Sequence, residues 1–138
     1  MFAALKQKLL GAKQKHAAVG QSQHWKQHPA LRDCLGSMRG LCTVAPMDLH
    51  EALVAAVNIA LTEVNWNQTV QIPDDFLTQT VYIVWNDPLL PVLRTDREIL
   101  LQNPEPVTAV APQTFLISET MDRIVHFHQG TIRLYDLT

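Results

Sequence analysis

The sequence predicts an α+β domain. Its parts are a four-stranded, mostly antiparallel sheet ending in a C-terminal hairpin, one long amphipathic helix packed on that sheet, and a basic N-terminal helix. Three observations carry the prediction. Val107 to Thr138 alternates apolar and polar residues between short turns, the pattern of strands with two unlike faces. Pro46 to Val64 places Leu49, Ala52, Leu53, Ala56, Val57, Ala60, Leu61 and Val64 in one wide apolar stripe at helical spacing, which a helix buries against a sheet or another helix. Residues 1–32 contain Lys6, Lys8, Lys13, Lys15, Lys26 and Arg32 and no acid. With 138 residues, 47% of them hydrophobic, the chain can bury one real core. It divides into a basic N-terminal helix and linker over 1–30 and a single α+β domain over 31–138.

In chain order, residues 2–18 read as the basic helix, with Phe2, Leu5, Leu9, Ala12 and His16 on one side. The stripe is narrow, so this helix needs a surface to form on. That surface is its own acidic domain, a partner complex or an anionic membrane, with Lys6, Lys8, Lys13 and Lys15 as the contacts in the last two cases. Gly20 to Ala30 is Gln- and His-rich, contains Trp25, and reads as a linker. His24 and His28 stand four apart, but no acid or Cys completes a metal set, and Pro29 disfavours helix at His28. Leu31 to Thr43 reads as a short helix followed by a loop.

The main helix is expected over 48–64, with Asp48 as N-cap, Glu51 three residues on, and His50 facing solvent. Asn65 to Asp75 is a polar loop anchored by Trp66. Residues 80–86 form a strand by their β-branched and aromatic content, with Tyr82 and Val84 on one face and Val81, Ile83 and Trp85 on the other. Thr95 to Leu101 is a short helix, capped by Thr95 and stopped at Asn103-Pro104. Val107 to Ala111 is a short edge strand or the lead-in to the last three strands, 113–118, 123–128 and 131–136.

Gln129-Gly130 joins the final two strands, and a two-residue loop with Gly fixes their register. His128 then faces Thr131, His126 faces Arg133, and Arg123 faces Asp136. One face carries Leu116, Val125, Phe127, Ile132 and Leu134 and is the core face. The other mixes apolar and polar groups: Phe115, Ile117, Ile124, His126, His128, Arg133 and Tyr135. An apolar patch with polar groups at its rim marks a partner-binding face unless another helix of the chain covers it.

The chemistry on offer is sparse. His126-x-His128 with Arg133 opposite could hold an anion or a metal, but a third zinc ligand is not in view. There is no phosphate loop, nucleophile elbow or triad spacing, so neither catalysis nor a cofactor is expected. Cys34 and Cys42 make no disulfide framework and read as reduced thiols, with one bridge between them left open. No membrane span or signal-peptide pattern is present, so a cytoplasmic protein is expected. After residue 32 the chain holds 5 of the 11 basic residues and all 13 acids, a net of −8. That acidic body, with a pI near 6.3, argues against nucleic acid as the partner.

The runs VYIVWNDPLLPVL, TFLIS and DRIVHFHQGTIRLYDL, within residues 80–137, resemble small bacterial immunity proteins of toxin–immunity systems. In that pattern a strand ending in a Trp-Asp-like turn precedes a C-terminal hairpin. Two positions depart from it, since His126 and Gln129 stand where acids are frequent. The resemblance implies a non-catalytic inhibitor that occludes one toxin domain, and an acidic body suits a basic toxin because opposite fields speed association. Three functional readings follow: a protein-binding module of this immunity type, a peripheral adaptor acting through the basic helix, and a small metal-dependent enzyme using His126 and His128.

Overall fold

The computed structural model describes residues 28–38, 41–87 and 89–136. The basic helix expected over 2–18, with Lys6, Lys8, Lys13 and Lys15, lies outside the described residues, as do His24 and Trp25.

The sheet has seven strands rather than the four expected. They are β1 (Cys42–Val44), β2 (Asn67–Thr69), β3 (Thr80–Val84), β4 (Leu93–Asp96), β5 (Gln113–Ser118), β6 (Arg123–His128) and β7 (Thr131–Asp136). Their order across the sheet is β1-β4-β3-β5-β6-β7-β2, and every pairing is antiparallel. Among the described residues four helices accompany it: α1 (Pro29–Ser37), α2 (Met47–Ala60), α3 (Arg97–Gln102) and α4 (Pro104–Thr108). The class is α+β, but one long helix on a four-stranded sheet is not the architecture.

The three added strands have weak sequence signals. β1 and β2 are three residues each, and β2 is the polar Asn-Gln-Thr, too short for an alternation to register. β4 does alternate, with Leu93 and Thr95 buried and Arg94 and Asp96 exposed. The expected cap at Thr95 pointed to helix instead. In fact Thr95 is a strand residue whose hydroxyl donates to the Leu41 carbonyl at 2.9 Å, and α3 begins two residues later. Pro104 does not merely stop α3. It opens α4, since proline's missing N–H is harmless in a first helical turn. The same holds for Pro29, which starts α1 while the His28 Nδ1 accepts from the Leu31 N–H at 3.2 Å.

α2 is 14 residues long and ends at Ala60, four residues short of the expected end. The Ala60 carbonyl accepts from the Glu63 N–H at 3.0 Å and also from Trp66 Nε1–H at 2.9 Å, so both of its lone pairs are used at the helix end. Asp48 is not the cap. Pro46 holds that position without a side-chain bond, and Asp48 lies in the first turn, where its charge meets the positive end of the helix dipole.

The C-terminal hairpin has the expected register, from Arg123 opposite Asp136 to His128 opposite Thr131. Its turn has Gln129 at φ 51° and Gly130 at φ 79°, two positive angles in succession as a type I′ turn needs. Across β5 and β6, Leu116 pairs with Val125 and Ile117 with Ile124.

The sheet is buried on both faces, in two cores. In the first, Leu49, Ala52, Leu53, Ala56, Val57 and Ala60 of α2 pack on Tyr82, Val84, Phe115, Ile117, Ile124 and Tyr135. Three alanines on this stripe let the helix approach closely while the sheet supplies the bulk. In the second, Leu31 and Cys34 of α1, Leu100 of α3 and Val107 of α4 pack on Val81, Ile83, Leu93, Leu116 and Val125. α2 therefore covers the mixed face of the hairpin, and the small helices cover the face expected to hold the main core.

Candidate functional site

The seven residues of the expected partner face do come together, but Phe115, Ile117, Ile124 and Tyr135 lie in the core shared with α2, and His126 and Arg133 pack against Trp66. Phe115, Ile117 and Ile124 have no exposed surface, and His126 and Tyr135 are nearly closed off. Only His128 and Arg133 are partly open. A partner cannot reach this patch while α2 is in place. The chain covers its own apolar patch, as surfaces of this size usually require.

At the centre of this patch His126 is held from every side. Its ring stacks on Phe115, with centroids 4.4 Å apart and planes within 4°, and lies 5.8 Å from the His128 ring. Arg133 donates to His126 Nδ1 from Nε at 3.2 Å and from a terminal guanidinium nitrogen at 2.7 Å. Nδ1 is therefore an acceptor, and Nε2–H donates to Gln113 Oε1 at 2.9 Å. This fixes the neutral tautomer. Burial pushes the His126 pKa down to about 4, and the charges of Arg133 and His128 push the same way. Arg133 in turn lies over the Trp66 ring at 4.9 Å.

This arrangement does not suit a metal. Both His126 nitrogens are already committed, and among the described residues no group of three His, Cys, Asp or Glu side chains is placed to hold an ion. His28 spends its Nδ1 on the start of α1, so the His24/His28 spacing leads to a helix cap. The two cysteines are free. Cys34 is buried in the second core, and burial, together with the Cys42 charge, raises its pKa to about 11, which makes it a poor nucleophile. His50 is half-buried rather than solvent-facing, and burial lowers its pKa although Glu51 opposes the shift. It lines a shallow pocket with Asn58, Asn86 and Asp87.

Two surfaces stand out that sequence reading did not flag. The first is the outer edge of β2. Asn67 and Gln68 are exposed, and among the described residues β2 pairs only with β7. Val64 and Val70 flank it at 90% and 93% exposure. The second is a groove of about 370 Å³ over the second core. It runs between Val70 and Ile72 on one wall and Leu101 and Pro104 on the other, with Phe127 and Ile132 on its floor. The polar Asn-Gln-Thr run hid the strand, and the groove joins segments too far apart in sequence to be associated by pattern. Among the described residues no helix is long and apolar enough to cross a membrane. No family model matches the chain, and no curated protein matches it either.

Proposed function

We propose that the folded domain is a non-catalytic protein-binding module that engages its partner along the outer edge of β2. The observation that carries this reading is the edge itself. Natural sheets protect exposed edges with short strands, lysine, proline, bulges or a covering loop, and β2, at three residues, has the first of these. β2 has neither lysine nor proline, and two almost fully exposed valines flank it. Such an edge suits an extended partner segment, which gains main-chain hydrogen bonds from the strand and apolar contact from its flanks.

In its finer form the module is a cytoplasmic, bacterial inhibitor of the immunity type that occludes a toxin domain. The resemblance of residues 80–137 supports this, and so does the acid excess after residue 32, which would steer a basic partner. The test is capture from native lysate with tagged full-length protein, beside a variant carrying Val64→Lys and Asn67→Lys. One dominant partner on the wild type, lost from the variant, is the expected result. A partner retained equally by the variant removes β2 as the site. A wild type that captures no dominant protein removes the module reading.

A further inference from the structure

We propose that the groove over the second core is the docking site of the chain's own N-terminal segment, with the stripe Phe2, Leu5, Leu9 and Ala12 lying in it. The groove is apolar on its floor and open on its rim. Phe127 and Ile132 are only partly buried beneath it, and Val70 and Leu101 stand 93% and 42% exposed on its two walls. Exposed apolar groups on both sides of an apolar floor call for an occupant.

Three observations point to the occupant. The first is where the chain enters the domain. α1 begins at Pro29, and its Leu31 and Cys34 share the second core with Leu100 and Val107, which also line the groove. Residues 13–27 can span up to about 50 Å when extended, so reach does not limit the docking. The second is shape, since Phe2, Leu5, Leu9 and Ala12 form one narrow apolar line at helical spacing, which matches a groove rather than a flat face. The third is charge. The segment carries Lys6, Lys8, Lys13 and Lys15 with no acid, while Asp74 lies on the groove's lining and the chain beyond residue 32 has a net charge of −8. The basic residues then sit outside the groove over an acidic body, an attraction that salt weakens.

This docking borders the β2 edge, since Val70 lies on both, but it closes apolar surface rather than offering it. It is tested in the full chain. With Leu5→benzoylphenylalanine, irradiation is expected to cross-link the monomer to peptides containing Val70, Leu101 or Phe127. Cross-links found only between two copies, or only to peptides outside the groove, overturn it. In parallel, Leu5→Asp with Leu9→Asp is expected to raise the fluorescence of an apolar dye several-fold. Dye fluorescence equal to wild type overturns the proposal. Leu101→Asp, on the groove rim at an exposed position, is expected to abolish the cross-link from position 5 without unfolding the chain, and a cross-link of undiminished yield also overturns it.

Discussion

Protonation of His126 is expected to destabilise the fold in acid. In the unfolded chain its ring titrates near the ordinary value of 6.5, and in the folded protein at about 4. A histidine whose folded pKa is depressed stabilises the protein fully above the unfolded value, and that contribution is lost as pH falls toward the folded one. The window is therefore pH 6.5 down to 4, with a ceiling of roughly 3 kcal/mol. Protonation would put a cation against Arg133 and would take away the Nδ1 lone pair that accepts its two bonds. Burial shifts His50 in the same direction, so it adds to the loss of stability as pH falls below 6.5. His126→Gln keeps an amide near Gln113 but cannot titrate. It is expected to cost about 1–3 kcal/mol at pH 7, through lost stacking and hydrogen bonds. Its denaturation midpoint should then fall less steeply between pH 6.5 and 4 than that of wild type. Equal slopes for the two proteins would remove His126 as the source.

The C-terminal hairpin shows what a local signal can and cannot deliver. The register followed from Gln129-Gly130 because a two-residue turn leaves no slack, and every pair from Arg123–Asp136 to His128–Thr131 is present. The same turn gives a prediction. Gln129 at φ 51° occupies a left-handed conformation that asparagine tolerates better, so Gln129→Asn is expected to stabilise the protein by about 0.5 kcal/mol. Gly130→Ala meets no neighbour within 4 Å but is strained at φ 79°, and should cost about 1 kcal/mol. Urea denaturation reads both, and a neutral Gly130→Ala would show that the turn relaxes. Other elements were less legible. α2 was readable from its stripe, yet it closes at Ala60 in a tight turn, with Thr62 and Glu63 N–H donating three residues back and Trp66 donating to the same Ala60 carbonyl from six residues away. β2 became a strand only because β7 offered it an edge. The candidate face was readable as a set of residues, since alternation grouped Phe115, Ile117, Ile124 and His126 correctly. Which helix covers that set is a long-range choice between two faces of similar apolarity, and no local pattern encodes it.

At the scale of the whole molecule the sheet is a shared wall between two cores, and its strand order binds distant parts of the chain. β1 pairs with β4, about fifty residues away, and β2 pairs with the C-terminal β7. β3 lies inside the sheet, between β4 and β5, with Tyr82 and Val84 in the first core and Val81 and Ile83 in the second, so a strand lost to one core is lost to both. The two cores should therefore unfold together. The molecule carries a reporter for each. Trp66 packs against the first core through Tyr135 at 5.2 Å, and Trp85 is buried in the second, its indole N–H donating to the Val107 carbonyl at 3.0 Å. Trp25→Phe with Trp85→Phe leaves Trp66 to report, and Trp25→Phe with Trp66→Phe leaves Trp85. In each background Leu53→Ala, in the first core only, is expected to cost about 2–5 kcal/mol. Leu53 is fully buried and belongs to a helix that touches only one face of the sheet. If the wall transmits the loss, Leu53→Ala lowers the urea midpoint by the same amount at both tryptophans, and the far-ultraviolet circular dichroism transition coincides with both. A midpoint that falls at Trp66 while Trp85 holds its wild-type value would mean that the second core, with α1, α3 and α4, persists after the first has opened.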